Sequence, residues 1–231
     1  APRGACDFVT DIAAPLPLGV IGTMMGVPRE DWGLMFTLTN RVLGSEDPEY
    51  QTVAGDGRET ADQGLRAMFS YFARLVTARR QAPRDDLLSR LTGAELDGEA
   101  LTDEEILYFC YLLILAGNET TRNAISGGML ALCEHPVERA RLAADAALLP
   151  TAVEEILRWT SPVMHMARVV TRDTVLHGQS IRAGERVLLW YPSANRDAAV
   201  FPAADRFDVG RAPNEHLALG LGEHFCLGVG W

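Results

Sequence analysis

The chain has 231 residues, 48% of them apolar and 23% charged, proportions of an ordinary water-soluble protein with enough length to bury a core. Lys+Arg 21 against Asp+Glu 31 leaves a net charge of −10, which excludes a general affinity for nucleic acid. Four cysteines, at 6, 110, 133 and 226, form no close pairs, so neither a disulfide framework nor a structural zinc site is indicated.

The start, "APRGACDFVTDIAAPLPLGV", lacks the charged and uninterrupted apolar regions of a signal peptide. The longest apolar run, "ILYFCYLLILAG", is too short to span a bilayer, so the expectation is a cytoplasmic protein without a membrane anchor. Residues 7–43 place apolar clusters at helical spacing, broken by "PLPLG" and "GVPRED"; Pro28 begins the next helix and Glu30 and Asp31 suit its first turn. A polar, turn-rich stretch fills 45–60. The spacing of Leu65, Met68, Phe69, Phe72, Leu75 and Val76 then predicts an amphipathic helix from Thr60 to Gln81.

Thr102 with Glu105 three residues on reads as a capping box, and Pro136 closes the same segment, giving a helix of about 30 residues. A short helix follows in "PTAVEEILRW", with Pro150 in its first turn. "ARVVT", "TVLHGQSI" and "ERVLLWYP" then read as strands of small hairpins, and the rest is loop. The expected class is mainly α with a small β portion.

Three constellations carry chemistry. In "LGLGEHFCLG", Cys226 stands among Gly220, Gly222 and Gly228. Such a turn can stabilise a thiolate with backbone N–H groups and admit a flat ligand, and His224 could reach an anionic group on it. A free cysteine in a glycine turn is the bland alternative. In "AGNETT", Glu119 and Thr120 interrupt an apolar helix beside Ala116 and Gly117. The glycine lets a ligand press on the helix, Thr120 can bond back to a carbonyl or hold a water, and Glu119 can relay protons. A kinked helix with a solvent-facing acid is the alternative there. Glu155 and Arg158 are an i,i+3 pair, ordinarily a surface pair worth a few tenths of a kcal/mol (about 0.3) unless a third charge joins it; Arg206 in "FPAADRFDVGR" is the expected third member.

These elements occur in the order found in cytochrome P450 monooxygenases, and the sequence resembles that family throughout. "LGLGEHFCLG" resembles its haem-binding loop, "AGNETT" its central helix crossing the haem, "EILR" its Glu-x-x-Arg motif and "FPAADRFDVGR" the segment completing the ion network. The resemblance implies haem b held through iron by Cys226, with Gly220, Gly222 and Ala116 close to the ring and His224 and Arg168 on its propionates. It implies that Glu119 and Thr120 deliver protons for dioxygen activation, and that Glu155, Arg158 and Arg206 hold the fold on the cysteine side. Leu112, Leu115, Val163, Met164 and His165 would line the substrate pocket. Leu219 stands where the family usually has Phe, a departure expected to alter redox tuning.

The family is much longer, so the resemblance implies that 1–231 is a single P450 domain lacking the helices before "GACDFV" and the segment after the cysteine loop. The implied partners are an apolar substrate (sterol, terpene or lipid) and a ferredoxin with its reductase. "LGSEDPEY", "AGNETTRNAISGGM", "EEILRWTSPV" and "YPSANRDAAVF" look most like bacterial enzymes that oxidise sterol side chains. A haem-thiolate peroxygenase or sensor, or a non-catalytic helical module, are the competing readings; the Glu119–Thr120 relay argues against the first two.

Overall fold

A computed structural model describes residues 4–53 and 56–230; Ala54 and Gly55 of the expected turn-rich stretch lie outside it, as do residues 1–3 and Trp231. The fold is mainly helical with three two-stranded sheets among the described residues. It divides into two compact units, Ala1–Arg122 and Asn123–Trp231.

The first unit contains α1 (Pro15–Met25), α2 (Trp32–Leu43), α3 (Gly57–Gln81), α4 (Leu87–Thr92), the short strands β1 (Glu95–Leu96) and β2 (Glu99–Ala100), and the first part of α5 (Asp103–Glu134). Helix α3 starts three residues before the sequence predicts, because the Asp56 side chain accepts from the Glu59 amide at 2.8 Å. Helix α5 has the expected capping box: Glu105 N–H donates to the Thr102 hydroxyl at 3.2 Å, and Thr102 N–H to the Glu105 carboxylate at 2.8 Å.

One face of each helix meets in a core of Met25, Met35, Leu38, Met68, Phe72, Leu88, Ile106 and Ile114. Its edge is tied by a buried pair: Arg79 donates to Asp86 at 2.6 Å and to the Gly26 carbonyl at 2.9 Å. Gly26 ends α1 with φ +69°, and a Cβ there would lie 2.1 Å from an Asp86 oxygen. Only glycine serves both needs.

The second unit contains the rest of α5, then α6 (Pro136–Ala144), α7 (Leu149–Thr160), β3 (His165–Val169), β4 (Thr174–Leu176), β5 (Gln179–Ile181), β6 (Arg186–Trp190) and α8 (Tyr191–Ala194). Strands β4 and β5 form the expected tight hairpin, with His177 and Gly178 both at positive φ. They sit inside a longer hairpin, in which β3 pairs antiparallel with β6 from His165↔Trp190 to Val169↔Arg186. Helices α5 and α7 approach closely because Gly127 and Gly128 face Thr160 and Ile156. A second core forms from Ala131, Ala152, Phe207 and Val209.

Candidate active site

In the first unit, α5 presents two different faces around "AGNETT". Tyr108, Leu112 and Ala116, each four residues apart, are exposed. Leu115 packs beside Ile114 in the core of the first unit. The expectation for Gly117 changes. A Cβ there would lie 3.3 Å from Ile21 Cδ1, so the missing side chain admits α1 rather than a ligand.

The Thr120 hydroxyl donates to the Ala116 carbonyl at 2.6 Å, a back-bond within the helix that makes it a second donor competing for that carbonyl. Glu119 pairs with Arg122, whose second nitrogen donates to the Asn40 side-chain oxygen of α2 at 3.0 Å. Asn118 is fully buried, and neither atom of its amide has a hydrogen-bond partner among the described residues.

The ion network of the second unit forms with a different third member. Glu155 and Arg158 are fully buried and joined by two hydrogen bonds of 2.7 and 2.8 Å. Arg158 also donates to the carbonyls of Asn195 and Ala204 at 2.7 and 2.9 Å. The remaining carboxylate capacity of Glu155 is filled by Arg211 at 3.0 Å, Asn214 at 3.1 Å and the Asp208 amide at 2.9 Å.

Arg206, the expected partner, contributes only its backbone carbonyl, which accepts from Arg158 and Arg211. Its side chain is 64% exposed and no closer than 3.9 Å to any carboxylate. Sequence spacing could not separate the two arginines, since both lie in the same loop five residues apart. Between them lies a turn at Asp208–Gly210, closed by Gly210 N–H on the Asp208 side chain at 3.0 Å.

Arg141 bridges Asp208 to Glu138 at 3.0 and 2.6 Å. Burial alone would raise the Asp208 carboxyl, but the Gly210 amide and Arg141 outweigh it and hold it below the usual carboxylate range.

The cysteine loop is a tight, open turn. Gly220 and Gly222 take φ +76° and +73°, Cys226 N–H donates to the Leu219 carbonyl at 2.9 Å, and Phe225 N–H to Gly222 at 3.0 Å. Cys226 is exposed, and so are Leu221, Phe225, Leu227 and Val229 around it. An open thiol ringed by large apolar side chains fits a flat, hydrophobic, iron-bearing ring better than it fits water. No group of three or more His, Cys, Asp or Glu side chains that could hold a metal ion occurs among the described residues.

Arg168, on β3, is exposed and donates to the neighbouring Ala167 carbonyl at 3.0 Å. His224 is exposed as well. Met164 is exposed and Val163 partly buried, while His165 stacks against Trp190 across the β3–β6 pair, with ring centroids 5.0 Å apart.

Comparisons with known proteins place the chain in a family. The family profile of Cytochrome P450 matches residues 21–147 and 144–230. The chain is 45% identical to the Steroid C26-monooxygenase of Mycolicibacterium smegmatis, an alignment covering 98% of this chain and 56% of that protein. It is 47% identical to the Methyl-branched lipid omega-hydroxylase of Mycobacterium bovis, covering 99% and 53%. Among solved structures, Mycobacterium marinum cytochrome P450 CYP268A2 in complex with pseudoionone superposes with a TM-score of 0.92 at 38% identity, covering 97% of this chain and 54% of that one. The chain thus spans about half the length of the curated relatives it matches. Family profile, relatives and fold coincide: the chain belongs to the cytochrome P450 family, whose cofactor is haem b.

Proposed function

We propose that these 231 residues form part of one P450 domain of a cytoplasmic haem-thiolate monooxygenase. The enzyme would insert one atom of dioxygen into a C–H bond of an apolar substrate and reduce the other to water, using two protons and two electrons. The observation that carries this reading is the exposed Cys226 in its glycine turn, ringed by exposed apolar side chains. When bound, the haem supplies dioxygen binding and O–O cleavage, favoured by electron donation from the thiolate.

The chain's own residues do the rest. Cys226 would hold the haem through its thiolate, and the turn at Gly220 and Gly222 would keep bulk away from the ring. Arg168 and His224 would bind its propionates. Thr120 gives up its Ala116 bond to hold a water or the substrate oxygen, and Glu119 passes protons to it. Glu155, Arg158 and Arg211 fix the loop that leads to the cysteine.

The substrate class is a sterol side chain or a comparably greasy methyl-branched lipid. It is supported by the printed activities of the two relatives and by the exposed Tyr108, Leu112 and Ala116 on α5. Val163, Met164 and His165 complete the lining in this reading. Electrons come from a ferredoxin with its reductase.

The test uses the full-length protein loaded with haem. A strongly red-shifted Soret band of the reduced carbon monoxide complex is expected, and its loss in Cys226→Ser. A thiolate-type band that survives Cys226→Ser overturns the ligand assignment. With ferredoxin, reductase and a sterol, Thr120→Ala is expected to consume reductant while releasing peroxide instead of hydroxylated product; unchanged product yield overturns the relay.

A further inference from the structure

Arg122 is an unusual partner for Glu119. An i,i+3 ion pair on a helix is ordinarily solvent-washed and worth a few tenths of a kcal/mol (about 0.3). Here the guanidinium is withdrawn from water, with Arg122 only 8% exposed. Three contacts offset that desolvation. One nitrogen reaches Glu119 and the other donates to Asn40 Oδ1 at 3.0 Å, while the guanidinium lies over the Phe36 ring at 5.6 Å. Asn40 is itself 4% exposed. Because an arginine has donors and no acceptor, the Asn40 carbonyl oxygen must face it, which fixes that amide too.

Two of the three contacts come from α2, more than eighty positions away in sequence. The charge that faces Glu119 is therefore placed by α2 and not by α5 alone. A guanidinium fork held at both ends has one geometry, and losing either end frees it to swing.

We infer that Arg122 is a positioning residue for Glu119, oriented by Asn40 and Phe36, so that the placement of α2 sets how the acid is presented for proton delivery. The inference rests on the monooxygenase reading of Glu119 given above.

The experiment has two arms on the full-length, haem-loaded protein. In the first, arginine side chains are labelled with nitrogen-15 and the Arg122 signals assigned by their loss in Arg122→Lys. Separate signals for the two terminal nitrogens are expected in the parent, and their merging in Asn40→Leu and in Glu119→Gln. Unchanged, separate signals in Asn40→Leu overturn the proposal whether or not the protein hydroxylates anything, so a failure of the monooxygenase reading stays distinguishable.

In the second arm, the fraction of reductant recovered as hydroxylated product is measured. A three- to tenfold fall is expected in Asn40→Leu, about 0.7–1.4 kcal/mol at 1.4 kcal/mol per factor of ten, with substrate KM changed less than twofold. The same substitution should add nothing in a Glu119→Gln background. Independent, additive losses in the double variant would show that Asn40 does not act through Glu119. Should Asn40→Leu fail to accumulate, Asn40→Asp keeps the volume and offers Arg122 a competing anion; it is expected to lower the product fraction as well, and full retention overturns the proposal.

Discussion

Glu155 and Arg211 meet at 3.0 Å although 56 residues separate them, and both side chains are almost wholly out of water. Arg206, five positions earlier, turns its side chain outward and supplies only a carbonyl. The two arginines therefore have opposite value. Arg211→Ala leaves part of a buried carboxylate unpaired and should cost about 3–5 kcal/mol; Arg206→Ala, on an exposed side chain, should stay within about 0.5 kcal/mol. Urea unfolding of the two variants checks this, and equal losses would mean that Arg211 is not the third member.

The buried Arg79–Asp86 pair makes a prediction about acid. Burial pushes the Asp86 carboxyl up, but the Ser89 amide and hydroxyl and the Arg79 guanidinium outweigh burial and hold it below the usual range. A carboxyl lowered on folding contributes stability that is fully present above its unfolded value near 3.9. That contribution is lost as pH falls through the folded value. Parent and Asp86→Asn should thus differ most above about pH 5, by about 3 kcal/mol, and converge in acid. Stability curves that stay parallel down to pH 3 would contradict it.

Cysteine reactivity separates the core from the open loop. Cys110 is fully buried in the first unit and burial pushes its thiol up to about 12, whereas Cys6, Cys133 and Cys226 are exposed. Iodoacetamide at pH 8, followed by peptide mass analysis, should modify the three exposed thiols of haem-free protein and spare Cys110. Haem loading should then protect Cys226 alone.

Glycines in two helices should respond with opposite sign. A Cβ at Gly128 would lie 2.7 Å from Ile156 Cγ2, so Gly128→Ala gains up to about 1 kcal/mol of helix propensity but meets overpacking of about 1–3 kcal/mol. A net loss on the order of 1 kcal/mol is expected. At Gly33 in α2 nothing lies within 4 Å, so Gly33→Ala should stabilise by up to about 1 kcal/mol. Thermal midpoints of the pair give the signs directly.

The local grammar of this chain is written in neighbouring residues. Thr102 with Glu105, and the apolar spacing from Leu65 to Val76, each depend on atoms within one or two turns, so α5 and α3 were legible before any fold was known. The same holds for His177-Gly178 at the β4–β5 turn and for Gly220 and Gly222 before Cys226, because positive φ is a single-residue property.

Tertiary structure decided what depends on approach from far along the chain. Arg211 rather than Arg206 faces Glu155, across the Asp208–Gly210 turn that separates them. Leu115 joins the core while Leu112 remains exposed, and α1 closes on α5 at Gly117 through Ile21. Asn40 reaches Arg122 across the first unit, in a contact that no periodicity records. Sequence alone determined which residues could bear charge, pair with one another or turn the backbone. Long-range packing, through burial and the few hydrogen-bonding partners left within reach, determined which of them do.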